Sequence, residues 1–221
     1  MRRLLSVAGC LACCLLLAAC SGIQMPERWK TLPEDQRAVI FGTVTSVGAA
    51  MRIARAELHF RNVETGESAS LQALAGYDTD GLRDLYIRRE RIGWFFETAL
   101  PPGRYEFYKY IAVDSGTDYR SEKDFSVPFT VEAGKTYYLG EYSSMAYLNE
   151  GPLWDFVLGG YFRLIDNFER DTALLEKKRG APQPDVIKQI PVPPAENLYL
   201  RTTVAPYGDF GPYPRCRGLF C

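Results

Sequence analysis

The chain has almost no histidine: His59 is the only one in 221 residues. That excludes metal sites built on two or more imidazoles and leaves one residue for histidine-based acid–base work. No G-x-S-x-G elbow accompanies it. Its place on a polar strand face, between Glu57 and Arg61, predicts an ordinary exposed side chain. Charge of one sign is missing as well. The 26 Lys+Arg nearly balance 27 Asp+Glu for a net −1, which removes the electrostatic basis for non-specific nucleic-acid binding. Long apolar runs are missing too: Leu4 to Ala19, broken by Ser6 and Gly9, is shorter than the roughly 20 residues of a spanning helix. What is present is globular composition, 47% hydrophobic and 24% charged, in a chain long enough for one domain with tails.

The apolar run follows Met1-Arg2-Arg3 and gives way at once to polar chain, so residues 1–19 read as a signal peptide. Its end, Leu17-Ala18-Ala19-Cys20, resembles the lipobox of bacterial lipoproteins. The resemblance implies cleavage before Cys20, a diacylglycerol thioether on its thiol and an acyl chain such as palmitate on its amine. One acyl chain holds a protein only marginally, whereas two or three give durable anchoring, at about 0.8 kcal/mol per buried CH₂. Ser21 stands where an Asp would imply retention at the inner membrane. The implied location is therefore the outer membrane, lipid-anchored, with the domain facing the periplasm. Residues 1–19 contain Arg2 and Arg3 and no acid, so the processed chain keeps 24 basic against 27 acidic residues, a net −3.

Cys10, Cys13 and Cys14 leave with the signal, and lipid would occupy Cys20. That leaves Cys216 and Cys221 in an oxidising compartment, a pair expected to form a disulfide, with Gly218 allowing the reversal. So short a loop adds about 2 kcal/mol in the chain-entropy account. The spacing is not that of C-x-x-C oxidoreductases, and two thiols without histidine make a poor metal site.

Residues 20–37, with Pro26 and Pro33, read as a tether, and period-two rows begin after it. Val39 to Val44 is apolar on both faces. Ala56, Leu58 and Phe60 alternate with Glu57, His59 and Arg61, turn through residues 62–67 and return over Leu71 to Leu74. Ile92, Trp94 and Phe96 form another inward row. Pro102-Gly103 suits the centre of a type II turn and predicts a hairpin. Phe125 to Val131 alternates strictly, and Pro128 predicts an edge strand. Ala133-Gly134-Lys135 turns into Thr136 to Tyr142, and residues 154–165 form a strand pair or one strand bent at Gly159-Gly160. One helix is expected over 167–179. Asp166 would cap it, Glu169 would sit at N3, Phe168, Thr172, Leu174 and Leu175 would pack, and Lys177, Lys178, Arg179 and Gly180 would end it. Residues 181–221 are expected to hold a Pro-rich connector, a last strand around Leu198, Leu200 and Val204, and the stapled tail.

Short strands at even spacing with one helix predict a mainly β, antiparallel sandwich over 38–180. The segments LPPGRYEF (100–107) and FTVEAGKTYYLGEY (129–142) resemble prealbumin-like, carboxypeptidase-regulatory-like sandwiches. IDNFERDTALLEKK, following the last apolar strands, resembles uncharacterised bacterial lipoproteins of that architecture. The resemblance specifies a fold and not a reaction.

Candidate chemistry is thin. Asp78, Asp80 and Asp84 resemble half a calcium loop but lack its bidentate Glu. Arg88-Arg89-Glu90-Arg91 reads as a charged strand edge. Tyr108, Tyr110, Tyr138 and Tyr142 fall on positions read as outward, either covered by the helix or tail or forming a contact surface for a partner. No catalytic residue, metal or cofactor is expected. The function expected is non-enzymatic: a lipid-anchored protein that binds or scaffolds a protein or glycan of the envelope. Two alternatives remain. One is a cell-wall hydrolase using paired carboxylates, and the other is an accessory lipoprotein of a secretion assembly, since that of type VI secretion also joins a lipid anchor to a prealbumin-like sandwich.

Overall fold

Alternating rows of branched and aromatic residues, punctuated by Gly and Pro, produce strands that must bury one face. The computed structural model describes residues 23–47, 53–74, 91–114, 117–149 and 156–202. Cys20, Cys216, Cys221, the acidic turn at Asp78–Asp84 and the run 88–90 lie outside the described residues. The strands are β1 Ile23–Gln24, β2 Ala38–Val47, β3 Arg55–Asn62, β4 Ser68–Leu74, β5 Arg91–Leu100, β6 Gly103–Asp114, β7 Thr117–Arg120, β8 Val127–Val131, β9 Thr136–Asn149, β10 Phe156–Ile165, β11 Val186–Lys188 and β12 Leu200–Arg201. Helices α1, Glu27–Lys30, and α2, Phe168–Arg179, accompany them.

The first sheet runs β1-β4-β3-β6-β7, with β8 on the same edge of β6 as β7. The second runs β12-β10-β9-β2-β5, with β11 beside the start of β9. The fold is the expected mainly β sandwich. The first sheet is antiparallel throughout, whereas the second is mixed, with β2/β9, β9/β11 and β10/β12 parallel. Between the sheets lies an aromatic core: Trp94, Phe96, Tyr142 and Phe162 face Phe60, Tyr105, Phe107 and Phe129. The Phe60 ring meets Phe107 edge-on at 5.6 Å between centroids, a favoured aromatic geometry.

Several expectations are corrected. The Pro101-Pro102-Gly103 segment is a corner and not a hairpin, because β5 and β6 belong to different sheets. Tyr105 locks it by donating its hydroxyl to the Pro101 carbonyl at 2.7 Å. Burial pushes that phenol up to about 12, so it remains a donor at physiological pH. Gly103 adopts φ +151°, a region closed to side-chain-bearing residues. The stretch expected to be a tether is folded from Ile23 onward. β1 pairs with β4, and Trp29 of α1 is 1% exposed in the core. At the other end β11 joins the sheet, and Leu200, on β12, reaches the same core. The domain therefore continues past 180, while Leu198 is exposed and Val204 lies outside the described residues.

The tyrosines also move. In β6, Tyr108 is an extra residue between Phe107 and Lys109, a bulge that shifts the inward set from Tyr105 and Phe107 to Tyr110 and Ala112. In β9 a slip at Gly140, φ +108°, shifts it from Tyr137 and Leu139 to Tyr142. Tyr110 and Tyr142 are thus core residues. Tyr138 does face out of the sandwich, covered by α2 with Phe41, Phe95 and Leu175 as one of the two readings expected, and Tyr108 also faces outward. Pro128 is exposed on edge strand β8, and residues 156–165 form one strand with a bulge at Gly159, as expected.

Candidate functional site

The outer face of the second sheet is covered by α2, and the contact is polar at its centre. Asn167, not Asp166, occupies the N-cap position, while Asp166 Oδ1 accepts the Phe168 amide at 3.2 Å. This frees the Asn167 side chain to donate to Glu141 at 2.6 Å. Glu141 is fully buried. It accepts from Thr45 at 2.8 Å and pairs with Arg170 at 2.9 Å. Arg170 also bonds Oδ1 of Asp171 through Nε and Nη2, at 2.7 and 2.6 Å, and reaches Thr43 at 3.2 Å. Asp171 is fully buried. Burial raises its carboxyl above the usual range, opposed by Arg170. One guanidinium thus joins two buried carboxylates. They are close, yet both are closed off from solvent, so they offer no acid–base pair to a substrate, and the hydrolase alternative gains no support from them. Sequence reasoning missed this cluster. Its signal was Asp171 itself, which stands three residues after Phe168 and four before Leu175, on the packing face.

The outer face of the first sheet carries no helix among the described residues, and it presents a polar ladder across β3 and β6. His59 is half-buried and pairs with Glu57 at 2.7 Å, a correction to the expected exposed histidine. Its hydrogen bond, then Arg55 at 2.8 Å, hold the Glu57 carboxyl below its usual range against the effect of burial. Next to them Tyr108 meets the His59 ring edge-on at 6.3 Å, and the Arg61 guanidinium lies 4.4 Å from its centroid. Arg61 bonds Glu106 at 2.8 Å and Asp124 at 3.2 Å, and Ser126 donates to Glu106 at 2.7 Å. The bulge that turns Tyr108 outward is what places an aromatic ring in this charged row.

A third feature is a cleft of about 330 Å³ at the end of the sandwich where β2 begins, lined by Glu34, Arg37, Glu97, Lys135 and Arg179. Glu97 is pushed up by burial but held low overall by Lys178 at 2.9 Å and Arg179 at 2.7 Å. No cluster of three metal-ligating side chains occurs among the described residues. Among the described residues His59 has no nucleophile bonded to it, and Cys20, Cys216 and Cys221 lie outside those residues. Comparison with family models, curated proteins and solved structures finds no match to this chain.

Proposed function

We propose that the chain is a non-enzymatic, lipid-anchored envelope protein, held at the outer membrane through Cys20, whose sandwich binds another envelope component with the open face of its first sheet. The observation that supports this reading is the contrast between the two sheet faces. One is sealed by α2 over a buried ionic cluster. The other carries the ordered Glu57–His59–Tyr108–Arg61–Glu106 row with no helix over it among the described residues. A row that alternates carboxylate, imidazole, ring and guanidinium suits a polar partner, protein or glycan, whose hydrogen bonds it can match.

The anchor is tested by labelled palmitate. Cys20→Ser loses the label and releases the protein from the membrane, and unchanged labelling would refute the lipoprotein reading. The face is tested in cells with a photo-crosslinking residue in place of Tyr108 and, separately, of Ala173, which is exposed on α2. A discrete adduct from position 108 and none from 173 is expected. Equal adducts, or none from 108, would refute it.

A further inference from the structure

The described domain begins three residues after the lipobox cysteine, and this limits how far it can stand from a bilayer. Cys20 precedes Ile23, the first paired residue, by three positions, and three residues span at most about 11 Å. Ile23 is not a loose end. It is 6% exposed, packed in the core, and opposite Leu71 in an antiparallel pair. That pairing sets the direction in which the chain leaves the fold. Gln24 lies opposite Ser70, so at Ile23 the start of β1 points toward the Leu74 end of β4. Leu74 pairs with Arg55, and Arg55 with Val113, at the end of the sandwich where β6 passes into β7.

We infer that the sandwich sits directly on the lipid surface, with the end formed by Arg55, Leu74, Asp114 and Thr117 toward the bilayer. The end carrying Val63, the Pro101–Gly103 corner and the 330 Å³ cleft then points away. The inference rests on lipidation of Cys20. Strand β6 measures the difference between the two ends. Val63 donates its amide to the Arg104 carbonyl at 2.9 Å, and Thr117 pairs with Asp114, ten residues further along. With Tyr108 an extra residue in the bulge, nine steps at about 3.3 Å put the two positions roughly 30 Å apart along the sheet. Ile23, level with Tyr110 through Leu71 and Leu58, lies about 13 Å from the Thr117 end and about 17 Å from the Val63 end. A reach of about 11 Å brings the anchor to within about 2 Å of the first end and leaves it about 6 Å short of the second. A partner of the described domain must therefore come to the membrane surface, because three residues hold that domain to its anchor.

The test uses the full lipidated chain, extracted from membranes and reconstituted in phosphatidylcholine vesicles that carry a headgroup nitroxide. Cys216 and Cys221 are replaced by Ser, and a bimane label is placed at Thr117→Cys or at Val63→Cys, both exposed. Strong loss of fluorescence at 117 and none at 63 is expected. Quenching at both positions would mean the sandwich lies on its side, and quenching at neither would mean it stands clear; each overturns the inference. Insertion of twenty Gly/Ser residues between Gly22 and Ile23, a root-mean-square span of about 25 Å, should abolish quenching at 117. Flotation with the vesicles and an intact mass that includes the lipid report separately on the anchor. If those two fail, the lipoprotein reading has failed and not the orientation.

Discussion

Replacing Trp29 by Ala decides whether residues 23–37 belong to the folded domain. Its indole is 1% exposed and meets Tyr105 edge-on at 5.9 Å and Phe60 at 6.5 Å, while Nε1 donates to Glu67 at 3.3 Å. A buried tryptophan removes about 200 Å² from water, which at about 25 cal/mol per Å² is about 5 kcal/mol as an upper bound. Truncations of buried aromatics cost about 3–5 kcal/mol, and the loss here should fall in that range. Against a total stability of about 5–15 kcal/mol that is a large share. Urea unfolding of the chain beginning at Ser21 is the assay. With a slope near 2 kcal/mol per M, the midpoint should drop by about 2 M. Trp29→Phe keeps most of the ring contact and should cost under about 1.5 kcal/mol. A midpoint shift for Trp29→Ala equivalent to less than about 0.5 kcal/mol, the scale of a surface change, would refute the assignment.

Gly103→Val should lose about 1–3 kcal/mol in the same assay, because φ +151° strains any side chain and a Cβ there meets Asn62 Nδ2 at 3.0 Å; a silent result would mean the corner is wrong. His59→Ala removes the closest partner of the buried Glu57 carboxylate and should cost about 1 kcal/mol at pH 7. Glu57, held low, contributes stability above its unfolded value that is lost as pH falls, so His59→Ala should flatten that acid limb, and an unchanged limb counts against the pairing. Asp171 has the opposite sign: its raised carboxyl favours the fold at low pH, and this contribution is lost as pH rises through its folded value. Asp171→Asn, which keeps an acceptor for Arg170, should therefore gain on the native chain as pH rises from 4 to 8, and a widening deficit would contradict the argument. Intact mass after alkylation, with and without reductant, should show Cys216 and Cys221 bonded, and two free thiols would refute it.

Strand existence was legible because period-two rows are set by burial on one face, which acts locally along the chain. Partnership was not. Pro101-Pro102-Gly103 looks like a hairpin turn because the same residues that reverse a chain also tilt it from one sheet to the other; the difference lies in whether β5 and β6 pair, a non-local fact. The four tyrosines show a second limit. Strict alternation assigns Tyr110 and Tyr142 outward, but one extra residue at Tyr108 and a slip at Gly140 reverse the parity of everything after them. Glycine at 140 marks such a place in hindsight. Tyr108 carries no such mark. Trp29 was hidden for another reason: a four-residue helix between prolines has no periodicity to read, although a lone tryptophan in polar chain is a residue that seeks burial.

The buried cluster under α2 was invisible because it joins two segments, each ordinary alone. Glu141 stands in a strand row, and Arg170-Asp171 in the first turns of a helix. Their juxtaposition also explains why so weakly amphipathic a helix docks in one place. Its apolar contacts are few, chiefly Leu175 with Phe168 and Leu174 against Phe41, Phe95 and Tyr138. Such contacts would tolerate a slide of one turn along the sheet. The Arg170 fork would not. A shift of about 5.4 Å would carry Arg170 away from the buried Glu141 carboxylate, a loss of several kcal/mol. A buried ionic group of this kind is a poor source of net stability, since desolvation offsets most of the attraction. Its contribution is register: α2 is fixed over β2 and β9, and the outer face of the second sheet is sealed there.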